Sequence, residues 1–128
     1  MPNPTDAVAT TDAVATIDAY LTALASRDLD AILALYAEDA TVEDPVGSEP
    51  IQGHPALRAF YARALGMTLQ PERHGSVKVA GREAAFHFTL TMPELARRID
   101  IIEVMRFDES GKVTSMRAFW GRGNMERL

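Results

Sequence analysis

The chain has 128 residues, a formal charge of −5 and no cysteine. That length suits one domain with a single core, and the acidic balance gives nucleic acid little electrostatic reason to bind. Without thiols, disulfides, thiol nucleophiles and cysteine metal sites are excluded together.

Residues 1–10, with two prolines, read as a weakly structured lead-in to a single domain over 1–128. They lack the basic and hydrophobic regions of a signal peptide. No later apolar run approaches membrane-spanning length, so a cytoplasmic chain without membrane insertion is expected. Thr10, Thr11 and Asp12 are cap candidates, and Val14, Ile17, Leu21 and Leu24 then recur at helical spacing. Tyr20 lies on the border of that apolar face, where burial requires a partner for its hydroxyl. Both a packing tyrosine and a catalytic one satisfy that pattern. Ser26-Arg27-Asp28 ends the first helix. Asp28 can cap a second, carrying Leu29, Ile32, Leu33 and Tyr36 and ending at Glu38-Asp39.

Thr41-Val42-Glu43 reads as a brief strand leading into the acidic turn Asp44-Pro45-Val46-Gly47. The proline pushes Asp44 out of helical geometry. A carboxylate there is either a solvated turn residue or, if it faces the interior, a proton acceptor. Gln52-Gly53-His54-Pro55 resembles a helix start. Leu57, Phe60, Tyr61, Ala64 and Leu65 form an apolar face, with Gly66 as the stop. All three tyrosines are thus expected on helices.

After Met67 the apolar period changes to two. Val77 and Val79 alternate with polar residues, Gly81 turns, and Phe86, Phe88, Leu90 and Met92 alternate again. Pro93 to Ala96 makes the next reversal, a strand runs from about Arg97 to Phe107, and Asp108-Glu109-Ser110-Gly111 connects it to a last strand over Val113 to Trp120. The pattern predicts an α+β domain, three N-terminal helices packed on a curved, mostly antiparallel sheet. His54, His74 and His87 are scattered, and Gly121-Arg122-Gly123 lacks the remaining glycines and the helix of a dinucleotide loop. No metal or nucleotide cofactor is expected.

One residue breaks the strand pattern. Ile99, Ile101, Glu103, Met105 and Phe107 share a face, and only Glu103 is ionisable. A carboxyl there is paired with Arg106 or Arg117, exposed, or kept protonated in a pocket. Kept protonated, it donates an O–H bond as a tyrosine does. Converging with Tyr20, it would form two donors for an oxygen that becomes negative, with Asp44 as a base across the substrate.

Ala19-Tyr20-Leu21, ALYAEDATVEDPVGSEP from Ala34, FYARAL from Phe60, VMRFDESGKV from Val104 and SMRAFW from Ser115 together resemble the steroid Δ5-3-ketosteroid isomerases. That resemblance implies a conical helix-and-sheet domain with an apolar pocket, a homodimer, no cofactor and a steroid-like ketone as substrate. It implies Asp44 as the base, Tyr20 as the donor to the C3 oxygen, and Tyr36 and Tyr61 as support for that hydroxyl. Trp120 is implied as partner of the base, and Phe88, Met105 and Met116 as lining. One departure stands out: family members usually carry Asp where this chain has Glu103. An isomerase, dehydratase or cyclase acting on another apolar carbonyl compound, and a non-enzymatic ligand-binding dimer, are the other expectations to test.

Overall fold

A computed structural model describes residues 7–128. The expected lead-in falls largely on residues 1–6, outside the described residues. Helix α1 (Thr10–Ser26) already includes Thr10, and its N-cap is Ala9, with no side-chain cap bond from the threonines or Asp12. Ala13, Ile17, Tyr20, Leu21 and Leu24 form its buried stripe, so Ala13 takes the deep position expected of Val14. The helix ends at Arg27, whose left-handed backbone (φ 58°) lets Asp28 N–H reach the Ala23 carbonyl at 3.0 Å. Asp28 then caps α2 (Leu29–Leu35) as expected, accepting from Ala31 N–H at 3.1 Å.

Strand β1 (Tyr36–Glu43) starts where the sequence pattern continued the helix, so Tyr36 heads a strand and only Tyr20 and Tyr61 are helical. The reason is tertiary: β1 pairs in parallel with the last long strand, Tyr36 opposite Val113 and Val42 opposite Met116. Those long-range bonds override the indifferent strand preference of Ala37-Glu38-Asp39-Ala40. After the acidic turn come the short β2 (Ile51–Gln52) and α3 (His54–Ala64), with Gly53 as N-cap and proline in its first turn.

The remaining strands follow the predicted alternation: β3 (Gln70–Ala80), β4 (Glu83–Met92), β5 (Arg97–Phe107) and β6 (Val113–Phe119), with a 3₁₀ turn at Pro93–Leu95 between β4 and β5. Trp120 lies just beyond β6 rather than within it. A further short strand, β7 (Met125–Arg127), pairs with the start of β5. The sheet order is β2-β1-β6-β5-β4-β3, antiparallel except for β1 against β6. Its inner face meets the helices through Ile17, Leu57, Phe88, Met105 and Phe107 in one continuous core. No helix among the described residues is long and apolar enough to cross a membrane.

Candidate active site

Helices α1 and α3 and strands β4 and β5 converge on a cavity of about 150 Å³ between the helices and the sheet. Tyr20 comes from α1, Tyr61 and Phe60 from α3, and Glu103 from the middle of β5; Asp44 and Trp120 enter from the loops after β1 and β6. Most of the remaining wall is aliphatic, including Leu24, Leu90, Ile99 and Ile101.

Asp44 is placed by backbone rather than by helix packing. β1 runs beside β6, and the turn is pinned where Val46 N–H donates to the Ala118 carbonyl at 2.8 Å. The Asp44–Pro45 peptide is cis, and Gly47 takes a φ of 102° that disfavours a side chain. The carboxylate thereby meets Trp120, whose Nε1–H donates to Asp44 Oδ1 at 2.7 Å. Burial raises the Asp44 pKa above the usual carboxylate range, and the Trp120 bond partly offsets this.

Glu103 is in a different state. It is the one buried charged residue among those described, 3 % exposed, and its Oε1 has no hydrogen-bond partner there. The arginines considered from sequence are engaged elsewhere: Arg117 with Glu43 at 3.2 Å and Arg106 near Glu83 at 4.0 Å. An ionised carboxylate in such a place would forfeit several kcal/mol of solvation. Burial therefore pushes its pKa well up, and the charge of Asp44 pushes it further. Burial thus favours the protonated acid, which in that form is a hydrogen-bond donor.

Tyr20 completes the set. Its hydroxyl lies 3.0 Å from that of Tyr61, which lies 2.6 Å from that of Tyr36. The Tyr20 and Tyr61 rings pack edge to face with centroids 6.1 Å apart. Burial holds all three phenols above their ordinary pKa. They remain neutral donors at physiological pH. The cavity thus brings together one carboxyl held by a tryptophan, a second carboxyl whose burial favours its protonated form, and a phenol, an arrangement suited to proton removal beside a carbonyl.

Tyr20, Asp44, Glu103, Tyr61, Phe88 and Trp120 all line this cavity. Tyr36 sits one hydroxyl behind it. Met105 and Met116, expected as lining, do not border it: they face each other across β5 and β6, fully buried in the core. Alternation fixes which face a residue occupies but not how far along the strand the cavity extends. The same logic would have found Ile99 and Ile101, which share the Glu103 face. Met67 and Leu69, from the irregular stretch after α3, also line the cavity, and no periodic signal marks them.

The SnoaL-like domain family matches residues 17–116. The chain is 44% identical to the Steroid Delta-isomerase of Nocardioides simplex, an alignment covering 83% of this chain and 87% of that protein. It is 31% identical to Epoxide hydrolase LasB of Streptomyces lasalocidi, covering 79% of this chain but 44% of that longer protein. The solved structure of SalBIII, described as an epoxide hydrolase/cyclase-like enzyme with a role in pyran ring formation in the polyether salinomycin, is similar at a TM-score of 0.86 and 25% identity, covering 92% of this chain and 97% of that one. The chain belongs to the SnoaL-like family and, within it, to the steroid Delta-isomerases, a family of enzymes.

Proposed function

We propose that the protein converts Δ5-3-ketosteroids to their conjugated Δ4 isomers by intramolecular proton transfer. Ionised Asp44 removes a proton from C4, and the electron pair moves through C3 onto the carbonyl oxygen, giving a dienolate. Tyr20 and neutral Glu103 donate hydrogen bonds to that oxygen as its charge grows. The proton then held by Asp44 is delivered to C6, the carbonyl re-forms, and the double bond comes to rest between C4 and C5. No atom is gained or lost.

The observation that carries this reading is the buried Glu103 Oε1, left without a partner in the same cavity as Tyr20 and Asp44. A stray buried acid is destabilising unless something else requires it. A ligand oxygen at that point supplies the missing partner. The 44% identical Steroid Delta-isomerase supports the substrate class. The test is ultraviolet absorbance of 5-androstene-3,17-dione with purified protein: the conjugated-enone band should grow, and its absence with folded protein would overturn the proposal. The working form is expected to be a cytoplasmic homodimer. Sedimentation at micromolar concentration showing only a 14.0 kDa species would refute the dimer.

A second reading draws on the similarity to LasB and SalBIII. A neutral acid and an ionised base in one apolar cavity also suit epoxide opening, Glu103 protonating the epoxide oxygen while Asp44 accepts a proton from the attacking hydroxyl. Assaying apolar epoxy alcohols beside the steroid, with product analysis, separates the two by which substrate turns over faster.

A further inference from the structure

The cavity has a direction. Glu103, Ile101 and Ile99 form one row on β5, opposite Phe86, Phe88 and Leu90 on β4. From Glu103 to Ile99 the row runs about 13 Å at the usual strand rise, away from the acid and toward the 3₁₀ turn Pro93–Leu95. Register brings two further lining residues to that end: Met92, paired with Arg97, and Leu69, next to Gln70, which pairs with Thr91; Met67 lies two residues before Leu69.

A polar clasp lies beside this end, next in sequence to the lining residues Met67 and Leu69. Both carboxylate oxygens of Glu94, in the 3₁₀ turn, accept from Thr68 N–H at 2.9 and 3.1 Å, and Thr68 Oγ1–H donates to one of them at 2.8 Å. Thr68 stands between the lining residues Met67 and Leu69, in the irregular stretch after α3. That stretch is pinned at its start, where Arg27 Nε donates to the Leu65 carbonyl at 2.9 Å, and at its end, where Gln70 pairs with Thr91. Between those fixed points the Glu94 bonds join it to the turn. They are solvent-exposed, so water can replace them.

Size makes the clasp matter. A cavity of about 150 Å³ is the size that accommodates a single benzene ring, whereas sites for drug-sized ligands usually span about 300–1,000 Å³. We propose that the Thr68–Glu94 clasp is a size gate: closed, it restricts the cavity to ketones of one or two rings, and its release lets a four-ring substrate lie along the row from Glu103. The gate rests on the steroid reading above, and it makes Thr68 and Glu94 specificity-determining residues that never touch the reacting atoms.

Trp120 is the single tryptophan and borders the cavity, so its fluorescence reports binding. Stopped-flow association of estradiol, a four-ring phenol, and of 5,6,7,8-tetrahydro-2-naphthol, a two-ring phenol, is compared for wild type, Glu94→Ala and Thr68→Val, with circular dichroism confirming the fold. In Glu94→Ala the four-ring association rate should rise about five- to tenfold as the competent population grows, with the two-ring rate within about twofold. Thr68→Val, which keeps both backbone bonds, should fall between. An equal change for both phenols, or none, would overturn the gate while leaving the steroid reading intact. If neither phenol binds the wild type, the steroid reading fails and the gate fails with it.

Discussion

Strand β5 carries two carboxyl groups three positions apart, on opposite faces of the sheet, and their environments differ completely. Asp100 faces outward and hydrogen-bonds His87 Nε2, with both side chains about half exposed. Around it the outer face is laced with similar contacts, Arg98 with Glu126 and Arg106 with Glu83. Glu103 faces inward, with an oxygen that finds no partner. Solvated pairs of the first kind contribute little to stability, because water competes for each partner. A buried lone acid is destabilising, and that cost is what singles out Glu103 as a candidate for the proposed chemistry. The carboxyl on the outer face is paired in water, and the one on the inner face is buried with an oxygen unsatisfied.

Substitutions that attack the inner constellation should dominate. Asp44→Asn removes the base and should lower kcat by about 10³–10⁴-fold, the upper range for general base catalysis, while binding of an aromatic steroid, followed by Trp120 fluorescence, stays close to wild type. In the wild type, the acid limb of the kcat profile should lie above the usual carboxylate range, since burial raises the Asp44 pKa. Tyr20→Phe removes one donor from the developing oxyanion and should lower kcat by about 10²–10³-fold, with a smaller effect on KM.

Glu103→Gln sharpens the comparison through stability. The folded-state pKa of Glu103 is raised, so between its unfolded and folded values the folded chain binds the extra proton. Its contribution to stability is therefore greatest below the unfolded pKa and declines as pH rises toward the folded one, by up to about 1.4 kcal/mol per pH unit. Glutamine does not titrate. The variant should gain melting temperature over wild type as pH rises across that window, and a constant difference would show that Glu103 is not buried as an acid. Asp100→Asn is the smallest change: melting temperature and kcat should remain close to wild type, with stability altered by less than about 0.5 kcal/mol. A large loss there would erase the distinction between the faces.

Much of this is legible in the sequence. The change of apolar period after Met67 locates strands β3 to β6, and Glu103 stands out because a single ionisable residue interrupts an otherwise apolar strand face. Tyr20 and Asp44 were readable as candidates, one by its place on a helix face and the other by the proline after it. The local pattern predicts a helical Tyr36, whereas pairing with Val113, far along the chain, decides its conformation. The resemblance implies Met105 and Met116 as lining, whereas both lie in the core, because neither a shared motif nor alternation carries information about depth. His74 and His87 looked unrelated, yet they are opposed residues on β3 and β4 with ring centroids 5.1 Å apart. Register, depth and contacts between loops are set by the assembled sheet, and no local pattern encodes them.

The row of three phenols has one further consequence. Each hydroxyl has one hydrogen to give, and by itself the row from Tyr36 through Tyr61 to Tyr20 can run in either sense. Once Tyr20 gives its hydrogen to a ligand oxygen, Tyr61 must point toward Tyr20 and Tyr36 toward Tyr61. Occupancy at one end therefore sets a compass needle at the other, and isotope labelling of the Tyr36 ring should register a ligand that Tyr36 never touches.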